Sequence, residues 1–295
     1  MPKEMLGPLN FPIHRIVLGD FEVTAILDGT VQLGISPPFL LNESDAEIDK
    51  IAKYANLSSK KLENNFVPVV INTGHKLILV DTGFGSLGRK MGAGFMKERL
   101  MQAGYQPADI DIILLTHAHP DHIGGLYEDG ELSFPNAQIM MGHKEFYGWQ
   151  SGQRIPEQRA ENRDLFLKFL SPLEDQIRFL EDGDEVVNGI TAEAAYGHTV
   201  GHMMYRVQSK NHELLIWGDV ANHYVFSVEH PNSLVGFDDD KDQAVNTRNK
   251  VLNEAAESGV FVLGHHMPFR SLGYVQRIGD SFKWVPATYQ LRVQK

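Results

Sequence analysis

The stretch Thr116-His117-Ala118-His119-Pro120-Asp121-His122-Ile123-Gly124-Gly125 decides how this 295-residue chain is interpreted. It places three histidines and one aspartate within six positions, directly after the apolar run Ile112–Leu115. A regular helix or strand would scatter these four side chains over different faces, whereas a tight loop at a strand end lets them converge. Pro120 fixes one φ angle in the loop, and Gly124 and Gly125 permit a close backbone approach. The stretch therefore predicts a metal site on a loop.

The composition restricts the chemistry of that site. The chain has 13 histidines and no cysteine, which excludes disulfide scaffolds, thiolate zinc sites, iron–sulfur clusters and cysteine nucleophiles. Any metal must be held by imidazole and carboxylate groups. The 27 Lys and Arg against 38 Asp and Glu give a net charge of −11, which argues against a nucleic-acid partner or adhesion to anionic lipid.

The start of the sequence does not predict a secretory signal, and no apolar stretch predicts a membrane span. The N-terminal residues lack the apolar core of a secretory signal. No stretch approaches the ~18–20 uninterrupted apolar residues that would span a bilayer. We therefore expect no membrane partner and a cytoplasmic location.

Strand-like and helix-like runs alternate along the chain without a simple βαβ period. Gly19-Asp20 suits a hairpin turn, Ser44-Asp45-Ala46-Glu47 has the form of a capping box, and residues 241–256 predict the best helix of the second half. No linker or repeat divides the chain. We predict one α/β domain over residues 1–295, with two sheets inside and helices outside, and residues 1–13 as an N-terminal arm. This arm is a candidate homodimer contact.

Four further segments combine histidine or aspartate with glycine. They are Asp81-Thr82-Gly83, Gly197-His198-Thr199-Val200-Gly201-His202, Trp217-Gly218-Asp219 and Gly264-His265-His266-Met267-Pro268-Phe269. Taken singly, a Gly-Asp pair is usually a turn and a lone histidine is usually structural.

These five segments resemble the metallo-β-lactamase superfamily, whose members mostly hold two metals between two β-sheets. The resemblance implies an αββα sandwich of two mixed β-sheets flanked by helices. The strand pair around residues 18–23 and the stretch 238–248 look most like the branch that contains methyl-parathion-hydrolase-like and N-acyl-homoserine-lactonase-like enzymes.

The resemblance also implies a ligand for each position of a dimetal centre. One metal would be held by His117, His119 and His198, the other by Asp121, His122 and His266, and Asp219 would bridge the two. Zinc is the default for such nitrogen and oxygen ligands, and manganese, iron, cobalt or nickel remain open. Asp121 and Asp219 are the implied catalytic residues, Asp121 by passing a proton to the leaving group.

Three residues near this set need separate interpretation. Alignment by the preceding glycine selects His265 as the last ligand, whereas the H-x-P-F form selects His266, which we prefer. Neighbours along a strand end point to opposite sides, so only one of the two is expected to bind. Asp81 is expected to anchor the loop by hydrogen bonds. His202 is expected to support the ligands rather than to bind metal.

The implied activity is that of a dinuclear hydrolase, in which a metal-bridging hydroxide attacks a lactone, ester or phosphotriester of a small neutral substrate. The alternatives are a glyoxalase-II-like thioester hydrolase and a metal-binding protein without activity. Lactonases of this family often carry a tyrosine soon after the bridging aspartate, and Tyr224 is the nearest here. Candidate pocket walls, each of which could equally be ordinary core, are Phe146, Trp149, Tyr224, Phe226 and Phe269.

Overall fold

Short apolar runs bounded by glycine, proline and aspartate form the strands of the protein. The computed structural model describes residues 11–35, 39–287 and 290–293. Within these residues the strands are β1 (Ile13–Leu18), β2 (Phe21–Ile26), β3 (Gly29–Gly34), β4 (Lys61–Phe66), β5 (Val69–Asn72), β6 (Leu77–Val80), β7 (Ile112–Leu115), β8 (Tyr127–Glu128), β9 (Glu131–Leu132), β10 (Gln138–Gly142), β11 (Ile177–Leu180), β12 (Glu185–Val187), β13 (Ile190–Ala194), β14 (Met203–Ser209), β15 (His212–Ile216), β16 (Phe261–Leu263), β17 (Leu272–Ile278), β18 (Ser281–Pro286) and β19 (Arg292–Val293). The α-helices are α1 (Asp45–Tyr54), α2 (Met96–Gln102), α3 (Pro120–Ile123), α4 (His143–Ser151), α5 (Ala160–Phe169) and α6 (Lys241–Ser258).

The strands assemble into two large mixed sheets. The first has the order β11-β10-β7-β6-β5-β2-β1-β19, and the second the order β12-β13-β14-β15-β16-β17-β18. In the first sheet β6, β7, β10 and β11 run parallel, and in the second β15 and β16 do so. Strands β3 and β4 form a separate ribbon, as do β8 and β9.

The core lies between the two sheets. Val23 and Leu114 of the first sheet share one buried cluster with Tyr205 and Phe261 of the second. The outer face of the first sheet is covered by α2, α4 and α5, and the outer face of the second by α6. The predicted αββα sandwich of mixed sheets is therefore confirmed.

Local signals account for the ends of several elements. The β1–β2 turn uses Gly19 at φ 60°, where an added Cβ would come within 2.4 Å of the Ser209 carbonyl oxygen. The hydroxyl of Ser44 accepts a hydrogen bond from the Glu47 amide and caps α1, which is the serine half of the predicted capping box. Helix α6 ends at Ser258 and is followed by Gly259, which caps it in the left-handed conformation at φ 64°.

Some expectations fall outside what the structure describes. Of the predicted arm, residues 1–10 lie outside the described residues, and the single domain over 1–295 stays a prediction. None of the helices in the described part of the chain combines the length and apolar character that crossing a membrane requires.

Candidate metal centre

The loop at the end of β7 brings its ligand candidates together over a very short length of chain. His117 follows the strand closely, and His119 is the N-cap residue of the four-residue helix α3, which carries Asp121 and His122. The tight packing of this loop depends on glycine. A Cβ on Gly125 would come within 2.0 Å of the Thr82 carbonyl oxygen, so only glycine fits there.

The remaining candidates come from connections that follow strands of the second sheet. His198 lies after β13, Asp219 after β15, and His265 with His266 after β16. The first sheet contributes the loop after β7. All seven predicted ligands therefore sit at strand ends, on one edge of the sandwich.

These side chains converge around Asp219. Asp219 Oδ2 lies 2.8 Å from His266 Nε2 and 3.3 Å from His198 Nε2, and Asp219 Oδ1 lies 3.4 Å from His122 Nε2. The Asp121 carboxylate is 3.4 Å from His122 Nε2 and 3.5 Å from His266 Nε2. The carboxylate of Asp219 thus faces ligand candidates of both proposed metals.

The candidates form three groups whose ligand atoms lie within 4.8 Å of one another. The groups are His117, His119 and His198; His117, His122 and Asp219; and Asp121, His122, His265 and His266. Several of these buried atoms, namely Nε2 of His117, His119, His122 and His265 and Oδ1 of Asp219, have no hydrogen-bond partner among the described residues. Unpaired buried polar atoms are costly unless something else binds them. The donor set therefore fits two divalent metal ions.

Burial and neighbouring charges determine the protonation of the candidate ligands. Burial, reinforced by neighbouring cationic groups, holds the pKa of His117 and of His119 well below the ordinary value, so both rings stay neutral. Burial alone would raise the pKa of Asp219, but His266, His122 and His198 outweigh it and hold that pKa well below its usual range. Asp219 is therefore ionised, as a bridging ligand must be.

The pKa values of two other histidines, His122 and His266, are raised rather than lowered. Burial opposes the charged form of His122, yet the carboxylates of Asp81, Asp121 and Asp219 raise its pKa well above the ordinary value. The pKa of His266 is likewise raised, because Asp219 outweighs burial. A raised pKa means that these two rings hold a proton more readily than a free imidazole does, and metal binding to the protonated nitrogen would release that proton.

Hydrogen bonds behind the ligands fix their orientation. Asp81 accepts from the Thr116 amide at 2.8 Å and lies 2.8 Å from His122 Nδ1, so it anchors the loop. His202 Nε2 accepts from the Asp219 amide at 3.0 Å, and burial lowers the pKa of His202 to about 3. Both residues therefore have the supporting positions expected from the sequence.

The two adjacent histidines are not separated as expected. The prediction that they point to opposite sides is wrong, because the ligand atoms of His265 and His266 fall in one group. Both lie in a turn after β16, where the two-residue alternation of a strand does not apply. They differ in their partners: His266 Nδ1 is held by the Asn65 carbonyl at 2.9 Å, whereas His265 Nε2 has no partner in the described chain.

Alanine variants would separate the two histidines. We expect His266→Ala to weaken binding of one metal by more than about 100-fold, because Nε2 of His266 faces both Asp219 and Asp121. His265→Ala should weaken it by less than about 10-fold, the lower end for a group that only supports ligands. Zinc titration against a chromophoric chelator measures both. The reverse order would assign the last ligand to His265.

A cavity of about 250 Å³ opens over the cluster. Its floor contains His119, Asp121, His198, Asp219 and His266. The walls are mainly apolar, with three amides and one guanidinium, and consist of Val31, Leu33, Asn64, Phe66, Phe84, Met91, Pro120, Arg159, Asn162, Asn222 and Phe237. The Nε of Arg159 is 2.9 Å from Asp239 Oδ1, so its charge is already paired.

The predicted pocket aromatics do not line this cavity. Phe146, Trp149 and Phe226 are fully buried in core clusters, which is the alternative left open for them. The aromatic walls are instead Phe66, Phe84 and Phe237. Tyr224 is also absent from the lining, and Asn222 lies beside Asp219, donating from Nδ2 to Oδ2 at 3.2 Å.

Three residues that support the centre were not predicted from the sequence. Asp238 Oδ1 lies 2.9 Å from His198 Nδ1, and Arg248 donates to the other oxygen of Asp238 at 2.7 Å. Glu145 accepts hydrogen bonds from the backbone of two ligand loops. Asp238 and Arg248 lie in the stretch 238–248, but nothing in the sequence indicates their contacts with each other and with His198, because these contacts form only in the fold.

The fold and the order of the candidate ligands agree with the result of comparison with known protein families. A sequence profile of the metallo-beta-lactamase superfamily matches residues 67–265, and the chain belongs to that superfamily. Among curated proteins, it is 27% identical to an N-acyl homoserine lactonase of Bacillus cereus over 139 residues, which is 47% of this chain and 49% of that protein. The chain thus spans about half the length of that relative.

Solved structures match over a much larger share of the chain. AidC, a dizinc quorum-quenching lactonase determined with a product, is 27% identical, with a TM-score of 0.89 over 94% of this chain and 98% of AidC. AbOPH, a hydrolase of the beta lactamase superfamily, is 26% identical, with a TM-score of 0.87 over 96% of this chain and 100% of AbOPH.

Proposed function

We propose that this chain is a dimetal hydrolase that opens N-acyl homoserine lactones or closely related small neutral lactones. The observation that carries the proposal is the convergence of all seven predicted ligands in one cluster, five of which form the floor of a small, mainly apolar cavity. The likeness to a dizinc lactonase over nearly the whole chain supports the same reaction class.

The proposed centre takes two divalent ions, most simply zinc. His117, His119 and His198 would hold one, Asp121, His122 and His266 the other, and Asp219 both. When bound, such ions supply Lewis acidity for hydrolysis at neutral pH. Which of zinc, manganese, iron, cobalt or nickel is native stays open, because the ligand types alone do not select among them.

The protein's own groups would orient the substrate and handle the proton. The Asp121 side chain retains 14% exposure beside the cavity, so it can reach a leaving-group oxygen and pass a proton to it. Asn222 holds the carboxylate of Asp219 from the cavity side. The apolar walls exclude bulk water and leave room for an acyl chain.

The cavity argues against the thioester alternative. Glutathione carries two carboxylates, which a site would be expected to pair with cations. Arg159 is the one guanidinium among the described lining residues, and it is already paired with Asp239. A neutral lactone has no carboxylate that the site would need to pair with a cation.

A substrate panel tests the proposal. We expect kcat/KM for N-hexanoyl homoserine lactone to exceed that for a glutathione thioester by at least about 100-fold, because the cavity lacks free cations for the thioester. A simple aryl ester and an organophosphate triester complete the panel, and each reaction is repeated after chelation and after zinc is restored. Hydrolysis of the thioester alone, or full activity without metal, would contradict the proposal. The predicted homodimer and cytoplasmic location stay predictions.

A further inference from the structure

A completely buried ion pair lies behind His198, on the side away from the cavity. Asp238 is 1% exposed and Arg248, from helix α6, is 0% exposed. The Arg248 Nη2 donates to Asp238 Oδ2 at 2.7 Å. Burying two charges costs desolvation free energy that the pair seldom recovers as stability. A contribution to stability alone is therefore a weak reason for this pair.

The same guanidinium binds the loop that carries the bridging aspartate. Its Nε donates to the carbonyl of Val220, the residue after Asp219, at 3.0 Å. Its Nη1 donates to the carbonyls of Pro231 and Ser233 at 3.0 and 2.9 Å. The planar fork of arginine suits this set of fixed acceptors. Arg248 thus holds both ends of the connection from Asp219 to Asp238.

The second oxygen of Asp238 determines which nitrogen of His198 is free. Asp238 Oδ1 lies 2.9 Å from His198 Nδ1, and an ionised carboxylate can only accept. The proton therefore sits on Nδ1, and Nε2 offers its lone pair to the centre. That Nε2 lies 3.0 Å from His119 Nδ1 and 3.3 Å from Asp219 Oδ2.

We infer that Asp238 and Arg248 are positioning residues that select the metal-binding tautomer of His198 and hold it against the centre. The inference rests on the proposed dimetal centre. It assigns to Arg248 of helix α6, acting through Asp238, control over the affinity of the His117–His119–His198 site. Groups that orient metal-bound histidines in this way typically contribute about 10- to 100-fold in metal affinity.

The variant Asp238→Asn tests the tautomer directly. Asparagine offers one acceptor and one NH₂ group, yet both of its neighbours donate. The charged guanidinium of Arg248 should attract the amide oxygen, because hydrogen bonds to ionised donors are the stronger ones. The NH₂ group would then face His198 Nδ1, forcing the proton onto Nε2, where it blocks metal binding.

Two measurements on the full-length chain report the result. Nitrogen-15 NMR of the imidazoles should show the Nδ1–H tautomer of His198 in the wild type and the Nε2–H tautomer in Asp238→Asn, with His198→Ala identifying the signal. Zinc competition with a chromophoric chelator should show about 10- to 100-fold weaker binding at one site in Asp238→Asn. A purely structural role would leave the tautomer unchanged.

Glu193→Gln is the control. It also neutralises a carboxylate paired with an arginine, Arg206, and neither residue belongs to the candidate ligand groups or to the cavity lining. We expect it to keep the Nδ1–H tautomer and the zinc affinity. An Nε2–H tautomer in the wild type, or wild-type tautomer and affinity in Asp238→Asn, would overturn the inference. A wild-type chain that binds no zinc would instead overturn the proposed function.

Discussion

Replacing Asp219 by asparagine should remove one metal equivalent and lower kcat by more than about 100-fold, which is the upper end for residues that only orient ligands. Asp219 is the carboxylate that faces both halves of the cluster, through His198 and His266 on Oδ2 and His122 on Oδ1. Asparagine is neutral and keeps a single acceptor oxygen, so its NH₂ group would face ligand nitrogens on one side. Elemental analysis and lactone turnover measure the two effects.

The control for this experiment is Asp242→Asn, which removes the same charge from an exposed position in the first turn of α6. We expect it to retain two metals and wild-type turnover. If Asp219→Asn also retained both metals and turned over within about threefold of the wild type, a loss below 1 kcal/mol, Asp219 would not bridge the centre.

The sequence carried a local signal for only part of the proposed ligand set, and His198, Asp219 and His266 were predicted through the resemblance to the superfamily. His117, His119, Asp121 and His122 occur within six residues at a strand end, where a proline and two glycines set the loop. This signal is local and can be recognised without knowing the fold. The fold is needed to bring the separate segments together, because each of them follows a strand that ends at the same edge of the sandwich.

The groups that orient the ligands could not be found in this way. Asp238 lies in the acidic run 238–240 and resembles a solvated turn, and Arg248 occupies a helix whose charged residues mostly face solvent. Only the fold shows that both are fully buried and joined to His198. Their roles depend on contacts between residues that are 10 and 40 positions apart.

The cavity walls were predicted wrongly for a related reason. Large aromatic residues in apolar segments, such as Phe146 and Trp149, pack in the core because burial of their area is favourable there. The wall residues Asn64 and Phe66 belong to β4, which the sequence did not reveal. The inward positions of β4 include the polar Asn64, since they face a cavity, and this breaks the apolar alternation that marks a strand.

Glu145→Gln should destabilise the metal-free chain by about 3 kcal/mol, because it disrupts a buried carboxylate whose neighbours all donate. Oε1 accepts from the Ala118 amide at 2.9 Å and from Trp149 Nε1 at 2.7 Å. Oε2 accepts from the Thr199 hydroxyl at 2.7 Å and from the Gly201 amide at 2.9 Å. Burial raises the pKa of Glu145, and these four hydrogen bonds oppose that shift.

Glutamine preserves the shape of Glu145 but not its capacity to accept. Its single oxygen can serve one pair of donors, and its NH₂ group must then meet the other pair. The hydroxyl of Thr199 can rotate and accept, but a backbone amide cannot, so Ala118 or Gly201 would keep a buried N–H without a partner. Urea unfolding measures the loss, with the metal removed so that binding does not contribute to stability.

The donors to Glu145 lie beside proposed metal ligands, so the substitution should affect zinc binding as well as stability. Ala118 lies between His117 and His119, and Thr199 follows His198, so Glu145 joins the loop of the first sheet to a loop of the second. All three histidines of one proposed metal site depend on that junction.

We therefore expect Glu145→Gln to weaken zinc binding as well. The control is Glu161→Gln, which is exposed on α5 and should change the free energy of unfolding by less than about 0.5 kcal/mol and leave zinc affinity unchanged. Lower stability with wild-type zinc affinity would mean that the two loops keep their relative position without Glu145. Wild-type stability would mean that the four donors find other acceptors, contrary to their burial.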